Sequence, residues 1–168
     1  MKRKGISLIG MPASGKSTIG RELSQTLGFP LLDIDKWMEE YENLPLKQAI
    51  AQKGVAYILA LESRCVRELD LHETIVSTPG SIIYNDVVEP LRMQTNIVWL
   101  NVPFETLEKR LAPDVNNERG IIGLAEKGLR CLYEERLPLY QQWAQYTIDC
   151  ENKQQYEITQ EIIDLFGN

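Results

Sequence analysis

Five short runs of apolar residues punctuate the chain: GISLIG (5–10), FPLLDI (29–34), TIVST (74–78), NIVWLNV (96–102) and YTIDC (146–150). They are continuous rather than alternating, which predicts the strands of a parallel sheet covered on both faces. Between them the apolar spacing lengthens to a helical period. Ile19, Leu23 and Leu27 recur at i, i+4 and i+8, and Ile34, Trp37, Met38 and Tyr41 do much the same after the second run. Val55, Ile58, Leu59, Glu62, Val66 and Leu69 mark a long third helix. Pro103, in the first-turn position that proline favours, opens a fourth with Leu107 and Leu111 turned inward. Helices over roughly 126–142 and 154–166 complete the pattern. Strands alternating with helices predict an α/β fold built from right-handed crossovers.

One stretch obeys neither period. LAPDVNNERGIIGLAEK (111–127) carries Pro113, Asn116, Asn117, Gly120 and Gly123. A long irregular stretch inside a compact domain is usually functional, often a lid.

Composition narrows the classes. At 168 residues, 43% hydrophobic and 25% charged, the chain reads as one folded globular domain. Its net charge of −6 opposes a broad nucleic-acid or anionic-membrane surface, since phosphate backbones attract a Lys/Arg excess. A small anionic ligand stays open, because a few local donors suffice. Cys65, Cys131 and Cys150 are odd in number and far apart, which argues against a disulfide framework or zinc site and for a reducing cytosol. The opening MKRKGISLIGMP has too short an apolar stretch for a secretory leader and soon meets Lys16. No run reaches the length of a membrane span.

The chemistry begins where the first run ends. GMPASGKST places Gly10, Gly15, Lys16 and Ser17 in the pattern G-x-x-x-x-G-K-[ST], between a predicted strand and a predicted helix. The glycines let successive backbone N–H groups turn around phosphates, and the helix N-terminus adds partial positive charge. Lys16 would reach the terminal phosphates and the Ser17 hydroxyl would serve Mg²⁺. The pattern marks nucleoside triphosphate binding without separating a kinase from a GTPase or a motor.

Carboxylates separate them. TIVST ends without an acid and NIVWL runs into Asn101, whereas LLDID offers Asp33 and Asp35. Two residues apart on extended backbone, these would point the same way. One could hold a metal-bound water and the other could accept the proton of an attacking hydroxyl; either could instead cap the following helix. There is no N-K-x-D for guanine and no Asp-Glu pair closing an apolar strand. A small-molecule or nucleotide kinase remains.

With these residues in view, the chain resembles the shikimate kinase family, whose fold belongs with the nucleoside monophosphate kinases. The likeness covers nearly the whole chain: GMPASGKSTIGREL for the family's G-x-x-x-x-G-K-S-T-I-G-R-x-L, Asp33-Ile34-Asp35 for its D-x-D, Arg110 in LEKRL, Arg119 in NNERGII, and Arg136-Leu137-Pro138-Leu139-Tyr140 for its R-x-P-L-Y. The resemblance implies a three-layer P-loop kinase fold, a five-stranded parallel sheet flanked by helices, in a single domain over 1–168. It implies ATP and Mg²⁺, and phosphorylation of a ring hydroxyl on a small carboxylic acid, shikimate, as a cytoplasmic step toward aromatic amino acids. Gly10, Ala13, Ser14, Gly15, Lys16, Ser17 and Thr18 would surround the nucleotide's phosphates, with Arg110 beside adenine. Ser17 and Asp33 would serve the metal. Lys16, Asp35 and Arg119 would be catalytic, and Asp35, Gly80 and Arg136 would hold the acceptor. A lid would span about 112–125 and an acceptor-binding helical segment about 35–62. A monomer is expected, with a small-molecule acceptor and ATP as partners and neither nucleic acid nor membrane.

Two positions depart from the family pattern. Ile58-Leu59 stand where the family has F-R, whose arginine meets the shikimate carboxylate, although Glu62 matches its acidic residue. Arg64 is no substitute, since five residues along a helix is about 140° around it. Pro79, Gly80 and Ser81 replace G-G-G; proline donates no N–H, and serine adds bulk and a hydroxyl. A hydrogen bond to a charged group is worth roughly 1.5–3 kcal/mol, so losing the arginine would weaken shikimate about 10- to 200-fold. Three readings follow: shikimate held through Arg136 and Arg119; another acceptor such as a sugar acid, cyclitol or nucleotide; or a nucleotide-binding regulator, against which Lys16, Ser17, Asp33, Asp35 and Arg136 all argue. Of the other residues, His72 reads as a surface or capping group and Cys65 as core or helix surface. Trp37, Trp99 and Trp143 read as core or pocket wall, with Trp37 close enough to the Asp pair to touch an acceptor. Glu39 and Glu40 read as a solvated face.

Overall fold

The computed structural model describes residues 2–114 and 116–166; Val115, inside the expected lid, lies outside the described residues. The five predicted strands all form: β1 (Gly5–Ile9), β2 (Leu31–Asp33), β3 (Ile75–Ser77), β4 (Thr95–Asn101) and β5 (Tyr146–Asp149). They make one sheet in the order β2-β3-β1-β4-β5, every neighbouring pair parallel. The fold expectation is met.

The continuous apolar runs have a direct cause. β1 is buried at every residue, and alternate side chains feed opposite cores. Ile6 and Leu8, with Val98, Leu100 and Ile148, pack under α1 (Lys16–Leu27) and α8 (Gln155–Phe166). Ile9, Ile97, Trp99 and Val76 face the larger layer formed by α2 (Ile34–Glu42), α4 (Val55–Glu68), α5 (Val88–Gln94), α6 (Phe104–Leu111) and α7 (Leu124–Trp143). Cys65 is in this core, which decides between the core and helix-surface readings.

Three short elements carry no clear sequence signal: α3 (Leu46–Lys53), a 3-10 turn at Ile82–Tyr84, and α5. Each presents two buried apolar residues over little more than two turns at most, too few to establish a period. The irregular stretch is shorter than expected, because α7 already begins at Leu124 and breaks at Gly128, whose φ of 74° and ψ of 163° are not helical. The second strand stops at Asp33, not Ile34. Among the described residues, no helix is long and apolar enough to cross a membrane.

Candidate active site

The C-terminal ends of the strands open into one cavity of about 720 Å³, within the range of small-molecule sites. It lies beside the central strand, where the chain order of the sheet reverses and parallel sheets place their ligands. The P-loop forms its floor at one end. At the other end stand Asp35, Glu62, Gly80, Ser81 and Arg136, and above it lie Arg119 to Ile122.

The loop from Gly10 to Gly15 joins β1 to α1 through backbone that glycine permits: φ is 147° at Gly10 and 97° at Gly15, which precedes the helix. Pro12 to Ile19 line the cavity. Gly10 does not; its carbonyl accepts from Lys16 Nζ at 2.8 Å, as does that of Met11, also at 2.8 Å. Lys16 is thus folded back across its own loop. Burial pushes its pKa down to about 8, against the opposing charges of Asp35 and Asp33.

Asp33 and Asp35 both line the cavity, though not on one extended segment. Asp33 ends β2 and caps α2, accepting from the Lys36 N–H at 3.4 Å, while Asp35 lies in the helix's first turn. The helix turn still carries Asp35 over the cavity. Ser17 Oγ donates to Asp33 Oδ2 at 2.6 Å and lies 3.2 Å from Ser77 Oγ. This hydroxyl–carboxylate pair suits a hard cation that keeps most of its ligands as water and phosphate oxygen. Burial raises the Asp35 pKa to about 6, reinforced by Asp33 and opposed by Lys16.

At the far end, Arg136 is 1% exposed yet lines the cavity. Its Nε donates to the Tyr84 hydroxyl at 3.2 Å and its Nη2 to the Ile122 carbonyl at 2.8 Å. Tyr140, one turn further along α7, donates to the Gly80 carbonyl at 2.8 Å. Gly80 is required by packing: a Cβ there would sit 2.7 Å from Arg136 Nη1. Glu62, also 1% exposed, is hydrogen-bonded to Ser81 Oγ and accepts from Asn85 Nδ2 at 2.7 Å. Leu59 does not line the cavity, and Arg64 is exposed, engaged with Glu68 and Tyr41.

Arg110 donates to the Ala13 carbonyl at 2.9 Å, so it lies against the P-loop and lines the cavity. Arg119 lines it from above, its side chain 56% exposed and 3.9 Å from Asp114. Beside it, Lys47 on α3 donates to the Asn116 carbonyl at 2.9 Å and to Glu118 at 2.8 Å.

Several expectations need correction. Trp37 stacks on Tyr41 and does not line the cavity. Glu39 is not a freely solvated charge: it lines the cavity and accepts from the Leu46 N–H at 2.8 Å, joining α2 to α3. His72 pairs with Asp70 at 2.8 Å on the surface, as expected. Sequence reasoning missed Tyr84, Asn85, Lys47 and Ile122. They act through backbone turns and long-range contacts that leave no local periodicity; the polar Asn85 between two apolar runs was the one available signal.

A parallel sheet of this order, with a glycine-turned anion cradle after its central strand and carboxylates across the cavity, defines a P-loop phosphotransferase. The comparisons agree. The shikimate kinase family model matches residues 12–166. A shikimate kinase of Persephonella marina is 33% identical over 162 residues, covering 95% of this chain and 97% of that protein. One from Clostridium botulinum is 35% identical over 150 residues, covering 88% and 87%. The shikimate kinase of Acinetobacter baumannii, solved in complex with shikimate, superposes with a TM-score of 0.87 at 28% identity, covering 97% of this chain and 92% of that one. The chain belongs to the shikimate kinase family, ATP-using phosphotransferases whose acceptor is a hydroxyl group.

Proposed function

We propose that the protein transfers the γ-phosphoryl group of ATP to a ring hydroxyl of shikimate. The observation that carries this reading is the buried Arg136, facing the same cavity as Asp35 and the P-loop. A buried guanidinium lining a cavity is suited to a carboxylate, through charge-assisted hydrogen bonds. A small hydroxy acid anchored there spans toward Asp35 and the phosphates.

Residues 13–18 hold the phosphates, and Lys16 swings from its own loop onto the transferring group. Asp35 accepts the hydroxyl proton as that oxygen bonds to phosphorus, while the bond to the β-phosphate oxygen breaks and ADP leaves. Ser17 and Asp33 fit Mg²⁺, which when bound neutralises phosphate charge. Arg110 flanks the base. Arg119 covers the transferring group, and the lid over about 112–125 excludes water across a single domain over 1–168 whose acceptor segment is 35–62. We place the enzyme in the cytoplasm as a monomer, free of nucleic acid and membrane.

One observation favours a second reading. Leu59 brings no cation to the acceptor end, so an acceptor less dependent on its carboxylate, a sugar acid, cyclitol or nucleotide, also suits the cavity. An ATP-consumption assay with shikimate, gluconate, cyclitols and nucleoside monophosphates separates them. Turnover of shikimate in preference to the others is expected; turnover of another acceptor alone replaces the first reading with the second.

A further inference from the structure

The acceptor end of the cavity contains a buried cation, Arg136, and beside it a hydrogen-bonded set of three polar side chains, Glu62 and Ser81 buried and Asn85 half-buried. Glu62 comes from α4, and Ser81 and Asn85 from the turn after β3. Ser81 and Glu62 are 4% and 1% exposed and both line the cavity. A Cβ on Gly80 would stand 2.7 Å from Arg136 Nη1; Ser81 is the next residue, and Ser81 and Arg136 both line the cavity.

Donor counting gives this set a direction. An ionised carboxylate only accepts, so Ser81 would donate to it and present only lone pairs to the cavity. A neutral Glu62 has one O–H. Its Oε2 already accepts from Asn85, so the proton belongs on Oε1 and is donated to Ser81 Oγ. The serine's own hydrogen is then free for the cavity. Burial favours the neutral acid, raising its pKa to about 8. The charge of Asp35 from α2 adds to this, while Arg136 from α7 and the bonds from Ser81 and Asn85 oppose it. Tyr140 from α7 also faces Glu62, its hydroxyl held neutral by burial.

We infer that Ser81, oriented by Glu62 and Asn85, donates a hydrogen bond to the acceptor's carboxylate beside Arg136 and so determines affinity for an anionic acceptor. The inference rests on the acceptor reading given above. Glu62 is a positioning residue: its proton fixes which way the serine hydroxyl points.

Steady-state kinetics with shikimate and ATP across about pH 6.5 to 9.5 test it. In the parent enzyme, KM for shikimate rises above about pH 8 as Glu62 ionises and reclaims the serine hydrogen. Lys16 also titrates near pH 8, but it acts on ATP. In Glu62→Gln the amide N–H donates to Ser81 at every pH, and the rise in shikimate KM disappears. Ser81→Ala raises shikimate KM about tenfold near neutral pH, the loss of roughly 1.4 kcal/mol, and moves KM for ATP far less. A folded Ser81→Ala enzyme with unchanged shikimate KM overturns the inference, as does a pH-dependent rise that persists in Glu62→Gln. If the alanine variant does not fold, the glutamine pH profile decides alone. A parent enzyme that turns over no shikimate overturns the acceptor reading and this inference together; turnover with unaltered variants overturns only the latter.

Discussion

Arg136 donates from Nη2 to the carbonyl of Ile122 across 2.8 Å, so α7 and the segment above the cavity are directly bonded. Lys47 makes a second tie, from α3 to Asn116 and Glu118. The two contacts join the 116–122 segment, α3 and α7 around the cavity. Glu39 completes the frame by holding the first N–H of α3.

Removing the outer tie has a modest, directional effect. The Lys47–Glu118 pair is half exposed, and such pairs contribute about 0.2–1 kcal/mol. Lys47→Ala is therefore expected to raise acceptor KM by at most about fivefold, with faster hydrogen exchange over 116–122 in the unliganded protein. Unchanged exchange there would show that Lys47 does not hold this segment.

Lys16→Ala removes the ammonium that crosses the P-loop. Losing one preorganised donor at the developing charge costs about 10²–10³ in kcat, and the fold persists because the loop's path is set by Gly10 and Gly15. The phosphate contact needs the charged form. With the free amine's pKa near 8, ATP affinity in the parent enzyme falls as pH rises through that value. Titration calorimetry checks both statements, and a pH-independent affinity would contradict the second.

Asp35→Asn tests the base. Transfer is expected to fall about 10²–10⁴-fold. In the parent enzyme, kcat/KM falls as pH drops through about 6, because the base acts only when ionised. The stability effect has the opposite sense. A raised carboxyl pKa means the folded state binds that proton more tightly than the unfolded chain. The resulting stability is present at low pH and is lost as pH rises through about 6. Asp35→Asn should therefore melt higher than the parent near neutral pH, by about 1–3 kcal/mol. Loss of activity with lower thermal stability would point to misfolding instead.

Gly80→Ala brings a methyl group within 2.7 Å of Arg136 Nη1 and 3.0 Å of Pro12 Cδ. Overpacking of this kind costs about 1–3 kcal/mol. Displacing Arg136 should raise acceptor KM tenfold or more while nucleotide binding is less affected. Equal losses for both substrates would place the strain in the P-loop through Pro12.

What the sequence reveals and conceals follows from the range of each signal. The sheet is legible because each strand is buried on both faces, so its apolar run is unbroken. The P-loop is legible because its geometry demands particular residues at fixed spacing. Asp33 and Asp35 are legible as an acid pair after the second run, and a helix cap at either is open from the sequence; that the strand stops at Asp33 is not legible, because Ile34 continues the apolar run into α2. α3 and α5 are too short for a period. Ser81, Glu62 and Asn85 lie up to 23 residues apart in sequence and meet only when α4 packs on the turn after β3. Lys47 and Glu118 are separated by 71 residues. No local pattern encodes such pairs.

The most direct test of the central claim is to incubate the purified protein with ATP, Mg²⁺ and shikimate and identify the product by phosphorus NMR and mass spectrometry. A shikimate phosphate ester formed one for one with ADP is expected, its rate of formation lowered about 10²–10⁴-fold in Asp35→Asn. ADP formed with inorganic phosphate alone, or ATP bound and left intact, would contradict it.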